Sequence, residues 1–345
     1  MIGKDWIASG ILARVACVGL ATLGAGCQSS LTGNEGNLTF YYPTDDELDF
    51  NKPIAVGAKL DLTVKEAGFP KKDVSLTKVD PSNTQVLKVA GMMGSAFTLE
   101  GIGEGSTSIG VTATKADGTT THDTINMMAK KPEIIDVTHS CGGGNLAYYL
   151  TKKSIFLPYD LKLKDGRAVI GYGYHALKVA PEKGLQWDHV NKAQWAYVYM
   201  TADAPGDVTL TSALEAGKSW TVRLVEEAQI DGGKLEGVSG KTLEVLAGSS
   251  AIVLARPTVG GNPICQPDTT FTVTGKTPEF CTVTATAAKS PTNKGVVEAW
   301  SWVTVQAKKL GVCEFDIVWP KGNKGQGATA AVKVNVVQLV KPSGN

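Results

Sequence analysis

The sequence predicts an all-β protein built as tandem sandwiches. Two-residue alternation of apolar and polar side chains recurs along it, glycine turns punctuate the alternating runs, and one local pattern returns about every 100 residues. From Ala58 to Lys65 the chain reads Ala-Lys-Leu-Asp-Leu-Thr-Val-Lys, every even position apolar and every odd one polar. That is the mark of an antiparallel strand with one face on a core and one in water. Similar runs cover Val86 to Val89, Ala96 to Leu99 and Ser108 to Thr114, separated by turns such as Asp117-Gly118. Many short alternating strands close most naturally as sandwiches.

The recurring pattern is Gly105-Ser-Thr-Ser-Ile-Gly-Val-Thr-Ala, then Gly206-Asp-Val-Thr-Leu-Thr-Ser, then Gly311-Val-Cys-Glu-Phe-Asp-Ile. Each is a glycine turn feeding an alternating strand, and their spacing is the length of one small sandwich. Three domains are expected, at 37–130, 132–228 and 229–340, with junctions at Lys130-Lys131-Pro132 and Asp231-Gly232-Gly233. The first resembles the bacterial Ig-like family in its early Val56-Gly57 turn, its middle segment Ser82-Asn-Thr-Gln-Val-Leu-Lys-Val89 and its late strand from Gly105. The second and third are similar to that family in the late strand. The resemblance implies antiparallel Ig-like sandwiches serving as stalks, spacers or adhesive modules, without catalysis.

The first 26 residues read as an export signal: Lys4 and Arg14 early, an apolar stretch too short to span a bilayer, and a small-residue exit, Leu23-Gly-Ala-Gly-Cys27. The cysteine at the exit resembles the lipobox of bacterial lipoproteins, which implies acylation at Cys27 and a membrane as partner through that lipid. Gln28 after Cys27 resembles lipoproteins sent to the outer membrane. Gly24 and Gly26 also fit ordinary signal cleavage, so the alternative is a soluble secreted or periplasmic product. Residues 27–36, small and polar without hydrophobic periodicity, are expected to form a flexible tether.

Charge is nearly balanced, 34 Lys plus Arg against 33 Asp plus Glu, so no long-range field draws the chain to nucleic acid or to an anionic membrane, and no nucleic acid is expected as a partner. Four cysteines follow Cys27: Cys141, Cys265, Cys281 and Cys313. An even count in an exported protein reads as two disulfides. Cys281 and Cys313 each stand on the apolar side of an alternating strand and are expected to pair. Cys141 is then left for Cys265, bridging the second and third domains; the local alternative joins Cys265 to Cys281.

Motifs for chemistry are weak. Ser239-Gly-Lys-Thr242 looks like the end of a phosphate loop, but that loop needs a glycine where Leu235 stands, and the segment beyond alternates like a strand. His139 and Cys141 share one strand face, as a metal pair would, but the thiol reads as a disulfide half and His139 as a surface residue. Asp45, Asp46, Glu47 and Asp49 lack the glycine and spacing of a calcium loop and read as a solvated acidic loop. No catalytic residue, metal or cofactor is expected, and the remote alternative is a hydrolase without a recognisable motif.

Aromatics offer the better lead. Seven of the nine Tyr fall between residues 148 and 199, joined by Trp187 and Trp195. In Trp195-Ala-Tyr-Val-Tyr-Met200 the aromatic and aliphatic residues alternate, so Trp195, Tyr197 and Tyr199 are expected as an outward stripe able to stack on a glycan or anchor an envelope protein. The alternative is that the stripe is core or covered by 181–194. The expected function is a non-catalytic, envelope-anchored binding or adhesion module; the alternative is a structural spacer.

Overall fold

The computed structural model describes residues 29–42, 50–139, 141, 144–182, 184, 186–188, 197–235, 243–292 and 296–338. Among these described residues strands dominate, in three sets of nine. The first set is β1 Ser29–Thr32, β2 Leu38–Tyr42, β3 Ile54–Ala55, β4 Lys59–Glu66, β5 Ser75–Pro81, β6 Leu87–Met93, β7 Ala96–Gly101, β8 Gly105–Thr114 and β9 Thr120–Lys130. The second is β10 Ile134–Val137, β11 Leu146–Leu150, β12 Ile155–Lys162, β13 Ala168–Val169, β14 Leu177–Ala180, β15 Gln186–Asp188, β16 Tyr197–Thr201, β17 Gly206–Ser212 and β18 Ser219–Val225. The third is β19 Gly232–Leu235, β20 Leu243–Leu246, β21 Ser250–Val259, β22 Asn262–Pro263, β23 Thr272–Gly275, β24 Cys281–Thr292, β25 Val296–Ala307, β26 Gly311–Trp319 and β27 Ala328–Val337.

Each set makes two sheets in the same order. In the second set these are β10-β12-β16-β15 and β11-β18-β17-β14, and in the third β19-β21-β25-β24 and β20-β27-β26-β23. The first set repeats the order as β2-β4-β7-β6 and β3-β9-β8-β5, with β1 added at an edge. This is the A-B-E-D and G-F-C arrangement of the Ig sandwich, with a short extra strand beside the last one. The chain is therefore three Ig-like sandwiches. One detail departs from purely antiparallel pairing: β11 runs parallel to β18, and β20 parallel to β27.

Local alternation explains why these segments are strands. In β4, Leu60, Leu62 and Val64 are buried while Lys59 is exposed, so one face meets the core. The recurrent glycines open β8, β17 and β26, with φ of +150° at Gly105, +146° at Gly206 and +146° at Gly311. That backbone region favours glycine. A Cβ at Gly311 would also stand 2.4 Å from the Phe280 ring. Gly233 at the second junction lies against Trp319, whose ring would be 2.2 Å from an added Cβ.

The described residues form two compact units, one from those up to Ile54 with 59–129, the other from 55–58 with those from Lys130 onward. In the first, Leu38, Phe40, Leu60, Leu62, Val64, Phe97 and Leu99 from one sheet and Ile109, Val111, Ile125 and Met127 from the other are buried. The second unit holds two sandwiches and two hydrophobic clusters. One gathers Ile135, Tyr149, Leu157, Leu161, Met200, Leu210, Trp220 and Val222; the other gathers Ile230, Val253, Val303, Val305, Phe315, Ile317, Trp319 and Val334.

The expectation of a flexible tether over 27–36 is corrected for its described part, 29–36. Ser29–Thr32 pairs with Thr39–Tyr42 as an edge strand. The following turn is built around Asp123, whose carboxylate accepts the backbone N–H groups of Glu35 (2.9 Å), Asn37 (2.7 Å) and Leu38 (2.7 Å). Gly33 lies so close to that carboxylate that a Cβ there would be 2.1 Å from it. Backbone pairing and a buried acceptor order this segment, and neither requires a hydrophobic pattern.

Candidate functional site

The most elaborated polar region of the second unit is the join between its two sandwiches. The β21–β22 hairpin turns at Gly260 and Gly261, both with positive φ, and delivers Ile264, Cys265 and Gln266 to the end of the neighbouring sandwich. Cys265 is fully buried in that sandwich's core cluster, forms a disulfide with Cys141 (Cα–Cα 4.8 Å), and its N–H donates to the Tyr148 carbonyl at 2.8 Å. Ile264 forms a parallel bridge with Tyr148.

Gln266 completes the join. Its Oε1 accepts the Phe156 N–H at 2.8 Å, and its Nε2 donates to the Phe156 carbonyl. β10 pairs with β12 only over Tyr159–Lys162, so the buried Gln266 amide does for Phe156 what a longer neighbouring strand would do. Traffic also runs the other way: Tyr148, Leu150 and Val225 of the second strand set belong to the third set's hydrophobic cluster. The guanidinium of Arg223 holds Asp207 through Nε and Nη2 (2.6 Å each), donates through Nη1 to the Tyr148 hydroxyl at 3.2 Å and lies 5.5 Å from that ring's centre. This contact holds the Asp207 carboxyl below the usual carboxylate range. The second disulfide, Cys281–Cys313 (Cα–Cα 5.6 Å), lies within the third sandwich.

His139 corrects an expectation. It is buried, with Nδ1 3.1 Å from the Tyr149 hydroxyl and Nε2 without a hydrogen-bond partner. Burial lowers its pKa from 6.5 to about 4, so it is a neutral core residue and not a surface one. Nothing in the spacing from His139 to Cys141 announces this, because the burial comes from Tyr149 and the surrounding sandwich. Gln266, equally, reads in the sequence as one more polar loop residue after a cysteine.

The aromatic stretch divides. Tyr148, Tyr149, Tyr159 and Tyr172 are buried, and the Tyr159 hydroxyl donates to the Tyr174 carbonyl at 2.5 Å. Val198 and Met200 of β16 are core residues. Trp195 and the side chains of Tyr197 and Tyr199 lie outside the described residues, as do Cys27, the acidic run 45–49 and Ser239-Gly-Lys-Thr242. Leu243, just past that last motif, opens a strand, where a phosphate loop would open a helix.

A second polar cluster pairs off within the second sandwich. Asp136 receives Lys162 at 2.8 Å and Lys218 at 2.5 Å, and Lys218 also meets Glu215 at 2.9 Å. Hydrogen bonds from Lys162 and Lys218 hold the Asp136 carboxyl below its ordinary value. Among the described residues no group of three or more His, Cys, Asp or Glu could hold a metal ion, and no helix is long and apolar enough to cross a membrane. The contacts of Gln266 with Phe156 and of the Cys265 N–H with the Tyr148 carbonyl make the join a structural clasp.

No protein-family model matches the chain, and no curated protein matches it. Among solved structures it is similar to domains 4–9 of the surface-layer protein SbsC, with 16% identity over 89% of this chain and 46% of that one, TM-score 0.26. The chain thus spans under half the length of that structure. A Bacteroides ovatus mixed-linkage glucan utilisation locus protein, SGBP-B, solved with a mixed-linkage heptasaccharide, matches at 13% identity over 86% and 67%, TM-score 0.27. Invasin, a bacterial integrin-binding protein, matches at 12% over 84% and 58%, TM-score 0.23.

Proposed function

We propose that this is an exported, non-catalytic protein, acylated at Cys27 and held on the outer membrane or cell surface, that displays a binding or adhesion surface on Ig-like domains at 37–130, 132–228 and 229–340. The observation that carries this reading is the clasp of Cys265 and Gln266, which builds a loop of the third sandwich into the end of the second. A display surface gains from a fixed join between the second and third sandwiches, and two disulfides suit an oxidising compartment.

On this reading Trp195, Tyr197 and Tyr199 are the candidate contact for a glycan or envelope protein. A pure spacer is the second reading, favoured by the burial of four of the neighbouring tyrosines. Radiolabelled palmitate tests the anchor: incorporation in the wild type and none in Cys27→Ser is expected, and no incorporation in either overturns acylation. Trp195→Ala with Tyr197→Ala tests the surface. Reduced binding to cell-wall glycan or whole cells supports adhesion, whereas unchanged binding leaves the spacer.

A further inference from the structure

One hydrogen bond returns at the end of each sandwich from which the chain leaves it. The N–H just after β3, β11 and β20 donates to the last carbonyl of the closing strand: Val56 to Lys130 at 2.9 Å, Thr151 to Val225 at 2.9 Å and Ala247 to Val337 at 3.0 Å. The residues before these donors, Ala55, Leu150 and Leu246, therefore hold equivalent places. Ala55 is 0% exposed, in the hydrophobic cluster of the second strand set, and Leu150 is 1% exposed, in that of the third. At both places the following sandwich covers this residue. Leu246 is 38% exposed. Leu310 (50% exposed) and Val312 (40%) flank Gly311, which pairs with Val336, so three uncovered aliphatic side chains stand at this exit end.

Repetition names the cover such an end takes, which is the entry end of an Ig-like sandwich. Within one chain the entry ends of the second and third sandwiches are filled, the second by Ala55 and Ala58 and the third by Tyr148, Leu150 and Val225. Among the described residues that leaves the entry end of the first sandwich. The turns β4–β5, β6–β7 and β8–β9 lie there, opposite the end where β9 hands the chain on, as the pairs Met93 with Ala96 and Ser75 with Thr114 show. This end exposes Met93 (83%) and Phe69 (99%). Both ends are mixed in charge, with Lys71, Lys72, Asp73 and Asp117 at one and Lys308, Lys309 and Glu279 at the other, so apolar contact and not charge must hold them.

We infer that the exit end of the third sandwich binds the entry end of the first sandwich of a second copy, repeating between chains a contact that the sequence already makes within one. Two different surfaces meet, so the contact is heterologous and each added copy leaves a free end for another. The apolar ends are small, so association is weak in dilute solution and grows where copies are concentrated. The inference does not depend on acylation at Cys27.

The test is sedimentation velocity, at rising concentration, of the chain from residue 28 onward, which keeps every described residue. The average mass is expected to climb past that of a dimer without levelling. Leu246→Glu should raise the dissociation constant at least about tenfold, as loss of one buried leucine contact predicts, and Met93→Glu should do the same from the other end. Mixing these two variants should give dimers that grow no further, because one sound exit end and one sound entry end remain. Ile252→Ser, exposed on β21, should change nothing. If Leu246→Glu lowers the thermal midpoint, Leu310→Glu in the neighbouring turn takes its place. A mass independent of concentration overturns the inference. So does association that stops at the dimer and survives Met93→Glu, which would pair two exit ends. Association that appears only once residues 339–345 are removed overturns it too, and would give the place beside Leu246 to that segment.

Discussion

The side-chain amide of Gln266 pairs with both backbone groups of Phe156, 110 residues earlier, accepting its N–H at 2.8 Å and donating to its carbonyl. A side chain thus finishes a sheet edge that β10 leaves open. Truncation to Ala removes both of these hydrogen bonds, costing about 2 to 4 kcal/mol. Gln266→Ala should lower the unfolding free energy of the second unit in urea by that amount, with a lower midpoint, while Gln229→Ala, in a short surface turn, should change it far less. Equal midpoints for wild type and Gln266→Ala would show that water replaces the clasp at no cost.

The two disulfides should separate by loop length. Cys141–Cys265 spans 124 residues and Cys281–Cys313 spans 32. By chain-entropy arithmetic the first restrains the unfolded chain by about 5 kcal/mol and the second by about 4. Non-reducing peptide mapping should recover both pairs. The double Cys→Ser variant at 141 and 265 should lose more stability than the one at 281 and 313, and the reverse order would mean that local packing outweighs chain entropy.

Much of the architecture was legible because it repeats at short range. Leu60, Leu62 and Val64 alternate with polar residues, and Gly105, Gly206 and Gly311 each stand where the backbone takes a positive φ before the same strand. Both signals live in a few consecutive residues. The clasp, the buried His139 and the turn around Asp123 do not: each depends on partners 10 to 110 residues away, and each polar residue looks like a surface residue until its partner is known. The segment 29–36 misled for the same reason, since an edge strand held by backbone bonds needs no apolar face.

Asp123 is the acceptor on which that segment depends. Burial pushes its carboxyl up, but hydrogen bonds from Glu35, Leu38 and Thr124 outweigh this and hold it below 3.8. A lowered carboxyl stabilises the fold above the ordinary value and loses that contribution as pH falls through the folded value. Asp123→Ala should strip protection from the amides of Glu35, Asn37 and Leu38 in hydrogen exchange and cost about 2 to 4 kcal/mol locally. Retained protection would show that the β1–β2 pairing alone holds the turn.

His139 gives the second sandwich an acid limit. Its pKa is about 4 folded against 6.5 ordinarily, so between those values the unfolded chain binds the proton and the folded chain does not. Stability from the neutral imidazole is complete above about pH 6.5, declines as pH falls, and is lost by about pH 4. The whole effect is about 3 kcal/mol at most. Urea midpoints at pH 7.5, 5.5 and 4.5 should fall in that order for the wild type. His139→Gln, which cannot titrate but keeps a polar contact for the Tyr149 hydroxyl, should flatten the dependence that belongs to this residue. A slope unchanged by His139→Gln would move the acid sensitivity to the carboxylates.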